Sequence, residues 1–108
     1  MIVDKRIYTL KPGSVPAYLK IYEEYGLKVQ LKHLGKPVGW FYPEVGALNR
    51  ITHIWAFDDL ADRAKKRAAM SADPDWATYR AKMAEADLRI AQENEILIAA
   101  PWSPDPRK

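Results

Sequence analysis

The sequence predicts an α+β domain in which one antiparallel sheet carries its helices on a single face. Three observations predict it. Runs rich in β-branched and aromatic residues alternate with stretches of helical apolar period. Turn and cap residues stand at nearly every junction between them. The resulting order is β-α-β-β-α-β with the second helical segment split in two, which is the ferredoxin-like arrangement.

The first strand runs from Ile2 to Leu10 and stops at Lys11-Pro12-Gly13, where proline fixes φ and glycine permits a positive one. Ser14 takes the N-cap position of the first helix, and Pro16 is tolerated in its first turn. Val15, Tyr18, Leu19, Tyr22, Tyr25 and Val29 set its apolar stripe. Gly26 interrupts that stripe at a cost of about 1 kcal/mol relative to Ala. Beyond it Leu27, Leu31 and Leu34 form a rotated stripe, which predicts a kink or a second buried face. Gly35 and Pro37 end the helix.

Val38 to Tyr42 reads as extended, Glu44 to Asn49 as a turn or bulge around Gly46, and Arg50 to Phe57 as the clearest strand of the chain. Asp58 or Asp59 caps an alanine-rich helix whose cations, Arg63, Lys65, Lys66 and Arg67, read as a solvated face. Asp73-Pro74-Asp75 starts a further helix with the stripe Trp76, Tyr79, Met83, Ala86 and Ile90. Glu95 to Ala100 is apolar enough for a short buried strand, which Pro101 ends. One domain over residues 1–101 and an extended or disordered tail over 102–108 are expected.

Alternation divides the strand residues into two sets. One collects Arg6, Tyr8, Trp40, Tyr42, Glu44, His53 and Trp55; the other collects Val3, Ile7, Phe41, Thr52, Ile54 and Ala56. The plainer set is expected to be core. The aromatic and polar set is expected on the free face, as a dimer interface, a ligand pocket, or both.

Composition removes several classes of function. The 108 residues are 48% hydrophobic and 29% charged, ordinary proportions for a globular domain. The formal charge of +3 is too small to announce nucleic acid or an anionic membrane. With no cysteine, disulfides, thiolate metal sites and cysteine nucleophiles are excluded. Charges in MIVDKRIY break up any signal-like apolar run, and no stretch approaches a membrane span, so a cytoplasmic protein is expected.

Specific catalytic patterns are equally scarce. Ser14, Ser71 and Ser103 lie in no nucleophile elbow, and the five glycines form neither a phosphate loop nor a dinucleotide fingerprint. The pairs Glu23-Glu24 and Asp58-Asp59 point apart or serve as caps. His53 is the one residue with the chemistry of a base or metal ligand near neutral pH. His33, the only other histidine, lies on a helix, so neither a metal site nor a haem is expected, nor any other cofactor. The same element order builds an RNA-recognition module, but residues 50–55 lack its glycine-containing signature, and no nucleic-acid partner is expected.

Several strings in order, RIYTLKPG, YGLKVQ, EVGALNRITHIWAFDDLADR, DPDWATY and QENEIL, resemble the NIPSNAP family from about Ile2 to Pro101. Gly46, Leu48, Asn49, His53 and Trp55 carry the most specific pattern, and Asp73, Pro74 and Trp76 support it. The resemblance implies the dimeric α+β-barrel superfamily, in which two ferredoxin-like sheets pair face to face. It therefore implies a homodimer. The superfamily includes cofactor-independent monooxygenases, haem-degrading enzymes and lactone isomerases.

Two functions follow as expectations. One is a domain that binds a small aromatic ligand or a partner without catalysis. The other is a monooxygenase-like or isomerase-like enzyme acting on an aromatic substrate without a cofactor, with His53 as its base. Either would use a site beside the third strand, made of Arg6, Tyr8, Trp40, Tyr42, His53 and Trp55 and closed from the helix side by Trp76 and Tyr79. Burying Arg6 requires an acid, for which Asp4 and Glu44 are in-chain candidates, or an anionic ligand.

Overall fold

Alternation along the first strand separates the two sides of the sheet. In the computed structural model, which describes residues 1–108, β1 (Ile2–Leu10) buries Asp4, Arg6, Tyr8 and Leu10 and leaves the residues between them half-buried. The chain continues through α1 (Val15–Ile21), a π-helical turn (Tyr22–Gly26), α2 (Leu27–Leu34), β2 (Pro37–Phe41), β3 (Arg50–Phe57), α3 (Leu60–Ser71), α4 (Pro74–Ala86) and β4 (Arg89–Ile98). The sheet order is β2-β3-β1-β4 with every neighbouring pair antiparallel, as the ferredoxin-like order requires. No helix is long and apolar enough to cross a membrane.

The two faces of the sheet exchange the roles expected of them. Arg6 pairs with His53, Asp4 with Trp55, and Trp40 with His53, so these side chains share one face, and the helices cover it. Val3, Ile7, Phe41, Thr52 and Ile54 occupy the other face, which no helix covers, and Ala56, which shares it, is buried as expected. The reason lies in the helices, which contribute rings: Tyr18, Tyr22 and Tyr79 join Tyr8, Leu10, Ile51 and Met83 in the main core. A second cluster of Leu34, Trp55, Phe57 and Met70 closes the other end. An aromatic core accepts an aromatic strand face.

Most junctions follow their local chemistry. Asp59 accepts the Asp62 backbone N–H at 2.7 Å, and Asp73 accepts that of Asp75 at 2.9 Å, each capping its helix. Ser14 stands at the N-cap of α1 but makes no capping bond with its side chain. The tail folds back rather than extending: Arg107 bonds Asp58 and Asp105, each at 2.9 Å.

Two elements differ from expectation. Helix α4 stops at Asp87, whose φ of 52° is left-handed, so Ile90 belongs to a strand and not to the helical stripe. β4 therefore starts at Arg89, and it is exposed throughout because it is an edge strand that the helices do not reach across. β2 ends at Phe41, which leaves Tyr42 outside the alternation.

Gly26 explains the rotated stripe of the first helix. α1 and α2 form one continuous helix, and the π turn between them inserts the offset that carries Leu27, Leu31 and Leu34 round its axis. A Cβ on Gly26 would lie 2.8 Å from Cδ1 and Cε1 of Tyr79 and 3.1 Å from Cδ2 of Tyr22. Both rings are buried and cannot swing away. Gly26→Ala should therefore destabilise the fold, since overpacking of about 1–3 kcal/mol exceeds the helix-propensity gain of about 1 kcal/mol. Urea unfolding of the two proteins measures the sign, and a more stable variant would contradict the close approach.

Candidate functional site

Beneath the helices, Arg6, Tyr8 and His53 form the floor of a cavity of about 350 Å³. Helices α1 and α2 supply Tyr18 and Gln30, α3 supplies Arg67 and Ser71, and α4 supplies Trp76, Tyr79 and Arg80. The edge strand β4 adds Arg89 and Gln92. Four arginines thus line the space, and no carboxylate does.

One buried acid stands behind the floor. Asp4 Oδ2 accepts from Arg63 Nε at 3.0 Å and from Arg6 Nη1 at 3.4 Å. Arg6 also donates through Nε to the Tyr8 hydroxyl at 3.3 Å. Arg67, Arg80 and Arg89 enter no ion pair. Burial disfavours the charge on Arg67, and the neighbouring Arg6 and Arg63 disfavour it further. The cavity is consequently an electropositive space with aromatic walls. Arg89 lies over the Tyr8 ring at 5.2 Å, and the Trp76 and Tyr79 rings are 4.8 Å apart.

His53 has a defined tautomer. Its Nδ1 accepts the Trp55 indole N–H at 3.0 Å, and an indole nitrogen only donates. The neutral ring must therefore carry its proton on Nε2, an atom that is buried and has no partner. Burial, and then the Arg6 charge, lower its pKa from 6.5 to about 3; Arg67 acts in the same direction and Asp4 against them. At neutral pH His53 is a hydrogen-bond donor with its lone pair already engaged. Burial also raises the Tyr18 and Tyr79 phenols, the latter to about 12, so both hydroxyls keep their protons. Nowhere do three or more His, Asp or Glu side chains come together in a way that could hold a metal ion.

A family model described as NIPSNAP matches residues 3–104. The chain belongs to the NIPSNAP family. Human NipSnap homolog 3A is 31% identical over 98 residues, which covers 90% of this chain and 38% of that protein. The NipSnap homolog of Dictyostelium discoideum is 34% identical over 79 residues, covering 73% of this chain and 34% of its own. The chain thus spans less than two fifths of these curated relatives. A solved NIPSNAP family protein of Agrobacterium tumefaciens is 46% identical with a TM-score of 0.88, covering 96% of this chain and 92% of that one. A NIPSNAP-like domain protein of Burkholderia xenovorans is 36% identical with a TM-score of 0.89, covering 96% and 89%. An antibiotic biosynthesis monooxygenase, 16% identical with a TM-score of 0.63 over 94% of this chain and all of that one, shares the fold.

Within this NIPSNAP fold, Arg6, Tyr8, His53, Trp76 and Tyr79 gather at the cavity. Trp55 and Trp40 do not line it. They stand beside it, Trp55 holding His53 and Trp40 packing edge-on against Trp55 at 5.4 Å. Tyr42 lies apart, 57% exposed, because β2 ends before it. Glu44 is exposed in the loop, so Arg6 pairs with Asp4 alone among the acids. Sequence reasoning missed Arg67, Arg80 and Arg89. For Arg67 a signal existed: Arg63 and Arg67, four apart, lie on the same side of α3 as buried Met70, so the stripe turns inward. Arg80 likewise follows Trp76 by four.

The lowered His53 pKa makes a stability prediction. Between 6.5 and about 3 the unfolded chain binds a proton that the folded chain refuses. Stability is therefore undiminished by this group above that window and falls as pH drops through it. His53→Asn, which keeps an acceptor for Trp55, should lose less stability than wild type between about pH 7 and pH 4.5. Urea unfolding at the two pH values measures this, and parallel losses would show that His53 titrates normally.

Proposed function

We propose that this NIPSNAP domain binds a small aromatic anion, a carboxylate or a phenolate, in the cavity between sheet and helices. The observation that carries the reading is the unbalanced lining, four guanidiniums with no acid among them and rings on several sides. Arginine forks suit carboxylate oxygens, and desolvation strengthens such bonds. His53 adds a neutral donor that does not depend on pH near neutrality. Binding is favoured over the enzyme reading that uses His53 as a base. The histidine lone pair faces Trp55, and the Tyr18 and Tyr79 phenols keep their protons, so none of these three groups serves as a base at neutral pH.

Calorimetric titration with benzoate and benzamide separates charge from shape. Benzoate should bind tighter than benzamide, and Arg67→Ala should weaken it about tenfold, the value of a charge-assisted contact. His53→Asn should cost less, about two- to threefold. Tyr42→Ala should match wild type. Equal affinity for acid and amide would overturn the reading.

The same proposal includes a homodimer, paired through the free face of the sheet. Val3, Ile7, Ile54, Phe41 and Leu97 give that face an apolar component that no helix covers, and Phe41 is 54% exposed. Sedimentation should give twice the 12.4 kDa chain mass, and Ile54→Glu should return it to the monomer. A wild-type monomer at micromolar concentration would remove this part of the proposal.

A further inference from the structure

We infer that the ligand is a dianionic aromatic acid whose two carboxylates lie across one ring, held by two separate pairs of arginines. This rests on the aromatic-anion reading above and narrows it. The inner pair is Arg6, which is buried, and Arg67, which is half-buried. The other two, Arg80 from α4 and Arg89 from β4, line the same cavity and are exposed. Tyr8 stands between Arg6 and Arg89. Its hydroxyl takes Arg6 Nε at 3.3 Å, and its ring face carries Arg89 at 5.2 Å. One phenol thus separates Arg6 from Arg89.

The inner pair is short of acid. Asp4 is the only buried carboxylate, and it already serves Arg63 as well as Arg6. His53 lines the same cavity, and its Nε2–H is buried and unpartnered. A carboxylate there would meet Arg67 and His53 together, satisfying a donor that the protein leaves unsatisfied. Arg80 and Arg89 form no ion pair, so a second carboxylate beside them would find both free. The closely set Trp76 and Tyr79 rings offer an aromatic wall for the ligand between the two ends. A phosphate monoester concentrates its charge at one end and leaves the other pair unmatched.

The test compares terephthalate with 4-carbamoylbenzoate, a monoanion of the same shape, and with phenyl phosphate. In calorimetry, wild type should bind terephthalate about tenfold tighter than 4-carbamoylbenzoate, the gain from a second charge-assisted contact. Phenyl phosphate should bind more weakly than terephthalate. In the Arg80→Gln/Arg89→Gln variant, the ratio of terephthalate to 4-carbamoylbenzoate affinity should fall towards one, whatever the absolute affinities become. A ratio near one in wild type, a ratio that survives in the variant, or tighter binding of phenyl phosphate would each overturn the inference. If benzoate is preferred to benzamide while terephthalate gains nothing, this inference alone falls. If no aromatic acid binds, the underlying reading falls with it.

Discussion

Asp4 sets the electrostatics of the whole helix-facing side of the sheet. It is the only acid among the buried residues, and three guanidiniums, those of Arg6, Arg63 and Arg67, crowd its end of the structure. Moving a carboxylate out of water is unfavourable by several kcal/mol unless partners surround it. Arg6 and Arg63 both meet Oδ2 and so supply those partners from a strand and a helix at once. The ion pairs thereby tie α3 to β1. Both use Oδ2, while Oδ1 is buried without a hydrogen-bond partner, and Arg67, Arg80 and Arg89 form no ion pair. Like charges of that density pack poorly against one another, and the space between them is the cavity.

His53 follows from the same arrangement. Burial, and then the nearby Arg6 and Arg67, make an imidazolium unfavourable, and Trp55 holds Nδ1 as an acceptor. Trp40 packs edge-on against Trp55, and Tyr22 packs against Trp40 at 5.4 Å. A relay of rings therefore fixes the orientation of one N–H. The tryptophans act on the site through position, without touching what occupies it. This is how a residue that looks like a base in sequence becomes a donor in the fold.

The fold was largely legible because its signals are local. Asp59 and Asp73 cap where their spacing says, Gly35 ends α2, and β1 and β3 fall on their β-branched runs. What misled was partnership. Alternation separates two faces of a strand correctly but carries no information about which face the helices choose. Here the Tyr-rich helix stripes chose the aromatic face, and the plainer residues were left free. The end of α4 was misread because Ile90 continues an apolar period that the backbone abandons at Asp87. Alternation groups Arg6, Tyr8 and His53, which line the cavity, with Trp40 and Trp55, which stand beside it, and with Tyr42, which lies beyond the end of β2. Arg80 and Arg89 escaped because each is exposed by itself and becomes part of a site only through tertiary approach to Tyr8 and Tyr79.

The reversal of faces also changes how binding and assembly relate. Were the aromatic face free, pairing two sheets would fill it, and a ligand would compete with the partner for the same rings. With the cavity beneath the helices, pairing through Val3, Ile7 and Ile54 leaves Arg67, Arg80 and Arg89 untouched, since they lie on the opposite side of the sheet. The strands still connect the two sides, because Ile7 lies between Arg6 and Tyr8 in β1, and Ile54 lies between His53 and Trp55 in β3. Order imposed on the free face by a partner would reach the floor of the cavity through one residue of backbone. In the proposed dimer, assembly would stiffen the proposed site without occupying it.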